Sequence, residues 1–157
     1  MTPRLNPFAA DRRAMGAFLT WSQNAAAGVD PILAHLVKVR ASILNGCANC
    51  INMHTEEARN IGETEQRLYL LSAWREAPVY TDRERALLGW VDALTLVATK
   101  GAPDDATYAA LAAQFSPEEV VNLTMLINAI NGWNRVAVGF GLFNPDAGAA
   151  AAKAVAA

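Results

Sequence analysis

The amino-acid sequence predicts an all-α protein of six or seven helices in a single domain. Three observations carry that expectation. Apolar residues recur at spacings of three and four along most of the chain. Helix starts are marked repeatedly by Asp, Thr or Ser followed by Pro or by Glu three positions on. Strand signals are sparse while Ala is abundant.

The elements follow in order. Residues 9–27 place Met15, Phe18, Leu19 and Trp21 at helical spacing, and Gly28 ends that segment. Asp30 and Pro31 then supply an N-cap and a proline at the first helical position. The segment "PILAHLVKVRASILN" sets Leu33, Leu36, Val37 and Val39 against Lys38 and Arg40, expected to be exposed, and stops at the turn signal Asn45-Gly46. A helix is expected from about Cys47 to Gly62, and another from Thr64 to about Glu76, ahead of Pro78. Thr81 and Glu84 form a capping box, after which Leu87, Leu88, Val91, Leu94 and Leu96 line one long helix to about Thr99. Pro103 begins a shorter helix to Phe115. Ser116, Pro117 and Glu119 open the last one, which runs to about Phe140. One domain is thus expected over residues 1–157, its core spanning about 10–140 and residues 145–157 forming a mobile tail without amphipathic pattern.

Composition narrows the function. A hydrophobic fraction of 53% beside 18% charged residues is high, and reads as an Ala-rich helical protomer that buries a further face in a homo-oligomer. The net charge is −2 without any Lys/Arg cluster, which argues against nucleic acid as a partner. No apolar run reaches the roughly 18 residues of a membrane span. The stretch "MTPRLNPFAADRRAMG" lacks the apolar core of a secretory signal, so a cytoplasmic location is expected. In that reducing compartment a CxxC is catalytic or metal-binding rather than a permanent staple. With neither a Gly-rich phosphate loop nor a dinucleotide fingerprint, no cofactor is expected.

The chemistry concentrates in "NGCANCINMHTEEAR", residues 45–59, which holds both cysteines and one of the two histidines. Cys47, Cys50 and His54 stand at i, i+3 and i+7, along one face of a helix. A thiol becomes nucleophilic as thiolate, and a helix N-terminus or a nearby imidazole lowers its pKa. Two cysteines three apart at a helix start can also close a reversible disulfide, a two-electron store that needs no metal. The i+4 spacing to His54 favours Cys50 as the attacking thiolate and Cys47 as the resolving thiol. Proximity to the helix start favours the reverse order. Two plainer readings stand beside these: Cys47, Cys50, His54 and His35 as a Cys₂His₂ zinc site, or two inert buried cysteines. His35 is a candidate proton acceptor if the Asn45-Gly46 turn folds its helix back, and is equally readable as a half-buried surface histidine. Glu57 can share the face of His54 but reads as a solvated helix residue. Trp21, Trp74, Trp90 and Trp133 read as core or subunit-interface packing. Arg75 and Arg135 are candidates for pairing with carboxylates across helices.

Residues 36–98, with "LVKVRASILNGCANCINMHTEEAR" at their head, resemble the core of the AhpD-like alkylhydroperoxidase family, within the carboxymuconolactone decarboxylase superfamily. The similarity continues through "LTMLINAINGWNRVAV", 123–138, and so covers most of the chain except its ends. The family motif is a Glu, eleven residues, CxxC, three residues and His. Cys47, Cys50 and His54 match it, whereas His35 stands where the family has Glu. His35 then either takes over as a base or marks a weakened peroxidase. The resemblance implies an all-helical fold and a homo-oligomer, a trimer or a hexamer. It also implies reduction of an organic hydroperoxide substrate, with electrons from an external dithiol such as a lipoyl-bearing protein. Two rivals remain: a redox sensor or stress-linked oligomeric module without turnover, and a decarboxylase-type relative, against which the CxxC argues.

Overall fold

The structure is a computed structural model that describes residues 2–145. It is all-helical, and among the described residues it forms nine α-helices and one 3₁₀ turn. They are α1 Pro7–Ala10, α2 Arg12–Ala26, α3 Pro31–Leu44, α4 Ala48–Asn60, α5 Glu65–Leu70, the 3₁₀ turn Leu71–Ala73, α6 Asp82–Thr95, α7 Val97–Lys100, α8 Asp105–Ala112 and α9 Pro117–Phe140. The count exceeds the six or seven expected because three predicted segments break. Nearly all of the predicted 145–157 tail lies outside the described residues.

Each break has a local cause. At the N-terminus, Asn6 and Asp11 each cap a helix, accepting from Ala9 N at 3.1 Å and from Ala14 N at 2.9 Å, so α1 and α2 start separately. After Leu70 the expected helix to Glu76 tightens into the 3₁₀ turn and stops. Its freed carbonyls find arginines: Arg40 donates to Leu71 O and Ser72 O, both at 3.2 Å, and Arg85 donates to Trp74 O and Ala77 O at 3.1 and 2.9 Å. Beyond Thr95 the long helix bends at Leu96, because residues 97–100 are exposed and no packing holds them in line. The helix expected from Pro103 begins at Asp105, with Asp104 as its cap.

Helix α3 is the centre of the molecule, packed against α4, α6 and α9. One side contributes Val37 and Ala41 to a cluster with Leu87, Val91, Leu123 and Ile127; Cys47 and Cys50 belong to the same cluster. Another face contributes Leu36 and Val39, which meet Leu71, Trp74, Tyr80 and Leu88. Helix α2 docks on α9 where Gly132 lets an aromatic ring approach: a Cβ there would lie 2.6 Å from Phe18 Cζ. Phe18 packs in turn on Trp133 and Trp21, at ring separations of 4.5 and 5.8 Å.

Two polar networks lie inside this packing. Arg40, expected to be exposed, is buried. Its Nε and Nη2 reach Asp92 at 2.6 and 3.0 Å, and Asp92 also accepts from Trp74 Nε1 at 3.2 Å and from Arg75 at 3.0 Å. A bidentate guanidinium–carboxylate pair at the α3–α6 contact is what lets an arginine sit there. Arg75 therefore finds a carboxylate, whereas Arg135 donates to Asn131 instead. The second network ties α3 to α9. Asn134 accepts from Asn45 Nδ2 at 2.8 Å and donates to Ser42 Oγ at 2.9 Å, and Asn131 accepts from Asn45 Nδ2 at 2.9 Å.

Candidate active site

The site is built on the junction between α3 and α4. Helix α3 ends in a Schellman motif: Cys47 N donates to Ser42 O at 2.9 Å and Gly46 N to Ile43 O at 3.2 Å. Gly46 takes φ +65°, the left-handed conformation this motif needs. Cys47 is thus the last residue of one helix-ending motif and, with extended backbone, the N-cap of the next helix. Its sulfur accepts from Cys50 N at 3.4 Å. The two Cα atoms are 5.4 Å apart and the cysteines are joined by a disulfide. Backbone N–H groups at a helix start favour negative charge, so the reduced form holds its thiols where a thiolate is stabilised.

Cys47 and Cys50 are only 1% and 3% exposed. Cys47 borders a cavity of about 310 Å³ whose walls include Arg4, Asn49, Val138, Leu142 and Phe143. Residues near both ends of the described segment border this region. Arg4 bonds to Phe140 O and Gly139 O, both at 2.8 Å, while Asn49 and Asn52 hold Asn144 N and Pro145 O at 2.9 and 3.1 Å.

One turn beyond Cys50, buried His54 pairs through Nδ1 with Glu57 Oε2 at 2.7 Å. The carboxylate only accepts, which places the hydrogen on Nδ1 and leaves Nε2 as the proton-accepting nitrogen. His54 also borders a second cavity of about 160 Å³, with Lys38, Gln23 and Trp133 among its walls. The Asn45-Gly46 turn does fold α3 back on α4. The His35 and His54 rings are 6.2 Å apart, and His35 Nδ1 stands 3.9 Å from the same Glu57 oxygen. No hydrogen bond reaches that buried His35 nitrogen from any described residue.

Electrostatics follow from the burial. Desolvation lowers the His35 pKa to about 4, helped by the Lys38 charge and opposed by Glu57. Desolvation also lowers that of His54, against the raising effect of its bond to Glu57. Burial alone would raise the Glu57 carboxyl; the His54 hydrogen bond and the neighbouring positive charges outweigh it and hold it below the usual range. Lys38 is depressed by burial. At neutral pH the cluster is therefore two neutral imidazoles around one carboxylate.

The structure places the four residues singled out in the sequence on two adjacent elements in two groups, the Cys47–Cys50 disulfide at the start of α4 and His35 with His54 around Glu57. It corrects the reading of Glu57, which is partly buried and bonded to His54 rather than solvated. The signal for it was present as the i,i+3 spacing from His54. Lys38 was passed over because a lysine on a helix ordinarily faces water.

A helical fold with a CxxC at the start of a helix packed on α3 and a histidine one turn on defines a class. The carboxymuconolactone decarboxylase family model matches residues 8–93, and the chain belongs to that family, as an AhpD-like member. Among individual proteins, the uncharacterized protein YdfG of Bacillus subtilis is 44% identical over 106 residues, 68% of this chain and 71% of that protein. A crystal structure of an Agrobacterium tumefaciens protein of unknown function, for which the antioxidant defence role of AhpD is suggested, superposes with a TM-score of 0.88 at 48% identity. It covers 92% of this chain and 99% of that one. The debrominase Bmp8, bound to 2,3,4-tribromopyrrole, matches with a TM-score of 0.79 over 94% of this chain and 79% of its own. At 16% identity that likeness shows the fold alone.

Proposed function

We propose that this chain is a CxxC-dependent peroxidase that reduces organic hydroperoxides. The observation that carries the reading is the Cys47–Cys50 pair at the start of α4 with the His54–Glu57 couple one turn further on. His54 takes the Cys50 proton, and the thiolate attacks the terminal oxygen of the hydroperoxide. The O–O bond breaks, Cys50 becomes a sulfenic acid, and the alkoxide leaves as an alcohol with the proton returned by His54. The Cys47 thiol then displaces the sulfenic hydroxyl as water and closes the disulfide. An external dithiol, such as a lipoyl group on a protein, supplies two electrons, becomes oxidised itself and restores both thiols.

Two features support this division of labour. The cavity at Cys47 gives the external dithiol access to that sulfur, and attack there releases Cys50 as the thiolate nearer to His54. Glu57 supplies the carboxylate that the family pattern carries at position 35, so a histidine at 35 does not leave the relay without an anion. The same reading takes the chain as the protomer of a trimer or hexamer working in the cytoplasm.

The test is hydroperoxide consumption by wild type, Cys50→Ser and Cys47→Ser in the presence of a small dithiol. Wild type should turn over, Cys50→Ser should lose essentially all activity, and pre-reduced Cys47→Ser should consume one equivalent and stop when the dithiol is left out. Equal, slow consumption by wild type and Cys50→Ser sinks the proposal. Burial of both sulfurs favours a second reading, a redox switch without turnover. That alternative predicts a change of oligomeric state on oxidation, visible by size-exclusion chromatography with and without reductant.

A further inference from the structure

We propose that His35, His54 and Glu57 form a thiol-independent site for one Zn²⁺ ion, or another divalent transition metal, between α3 and α4. One donor atom from each residue lies within 4.8 Å of both others. Both histidines turn Nδ1 toward the same carboxylate oxygen, at 2.7 Å for His54 and 3.9 Å for His35. A tetrahedral zinc with bonds of about 2.1 Å sets its ligand atoms roughly 3.4 Å apart. The two distances to the carboxylate bracket that spacing, and the set as a whole, within 4.8 Å, has to contract around an ion.

Three observations point to an occupant. The His35 ring nitrogen facing the carboxylate is buried and has no hydrogen-bond partner among the described residues. A buried ring nitrogen in that condition is costly and calls for a partner, whether the carboxylate drawn closer, a water or a metal. The donor chemistry selects among ions: two imidazoles and one carboxylate suit zinc or cobalt, not magnesium or calcium. The cluster is reachable at one edge, where His54, though neither His35 nor Glu57, borders a cavity of about 160 Å³. Lys38 borders the same cavity and opposes a cation there, which limits affinity.

The site differs from the Cys₂His₂ arrangement conceivable from the sequence, since it uses neither sulfur and therefore exists in the disulfide form. It also bears on the proposed reaction. A neutral imidazole has one lone-pair nitrogen, so a His54 ring that binds metal cannot also accept the thiol proton. Metal occupancy and thiol activation exclude one another.

The experiment is titration of the disulfide-form protein with Zn²⁺ by calorimetry, alongside the Co²⁺ absorption spectrum. Circular dichroism checks the fold of each variant. One ion per chain should bind, and the Co²⁺ spectrum should lack a thiolate-to-metal band. His35→Ala and Glu57→Gln should each weaken binding at least tenfold, with His35→Asn as a second variant should the first fail to fold. Lys38→Met should tighten binding severalfold, and the Cys47→Ser/Cys50→Ser double variant should bind as wild type does. Absence of uptake overturns the proposal. So does uptake indifferent to both His35→Ala and Glu57→Gln, or uptake that requires reduced thiols. None of these readouts depends on hydroperoxide turnover, so the two proposals fail separately.

Discussion

A buried imidazole acts as a base only if something fixes its tautomer and steadies the cation it becomes. Glu57 does both for His54 through the 2.7 Å contact at Nδ1. Glu57→Gln keeps an acceptor in place but removes the charge, so the imidazolium that forms at His54 loses its counter-ion. If the proposed reaction is correct, hydroperoxide kcat/KM should fall about 10- to 100-fold. The rate should also rise with pH in the variant more steeply than in wild type, as hydroxide takes over part of the proton removal. A pH–rate profile of the two proteins decides the matter; superimposable profiles would show that Glu57 is a bystander.

At the scale of elements, the α3–α4 junction carries the site. Because Cys47 closes one helix and caps the next, the position of its sulfur is tied to the left-handed turn at Gly46. Gly46→Ala places a Cβ where L-residues pay roughly 1–2 kcal/mol, and urea unfolding should show a loss of that size. The Asn45–Asn134–Ser42 network holds the same turn against α9. Asn134 is 1% exposed, and Asn134→Ala empties a buried site and breaks two hydrogen bonds, although Asn45 Nδ2 keeps Ala41 O and Asn131 Oδ1 and Ser42 Oγ keeps Lys38 O. A stability loss of about 2–3 kcal/mol is expected from denaturant titration. A loss below about 0.5 kcal/mol would mean that water replaces the missing amide.

For the whole molecule, the buried histidines make stability depend on pH. Folded His35 stays neutral down to about pH 4, whereas the unfolded chain takes up that proton below about 6.5. Between those values the unfolded state binds more protons, so stability falls as pH falls through the window and the effect is complete below it. Its size for His35 alone is on the order of 3 kcal/mol. His54 acts in the same direction. Urea unfolding at pH 4, 5, 6 and 7 should therefore show a steeper decline for wild type than for His35→Asn, and parallel curves would refute the assignment. The Arg40–Asp92 pair bridges α3 and α6 across the fold. Asp92→Ala strands a buried guanidinium and should cost about 3–5 kcal/mol, read as a lower thermal midpoint.

The caps, the apolar spacing and the CxxC-x₃-His pattern are local properties, and the sequence by itself determined an all-α chain with its cysteine pair at a helix start. Both capping boxes, at Thr81 and Ser116, and the proline starts at Pro31 and Pro117 lie where they were expected. Helix ends were less legible after Leu70, because distant arginines, Arg40 and Arg85, take up the carbonyls that an intact helix would have satisfied itself. Only the tertiary structure decided what became of the charged residues on α3 and α4. Folding α3 back on α4 buries Arg40 against Asp92 and gathers His35 and His54 around Glu57. Spacing along one helix fixes which side chains share a face, but whether that face meets water or another helix depends on residues far away in the chain.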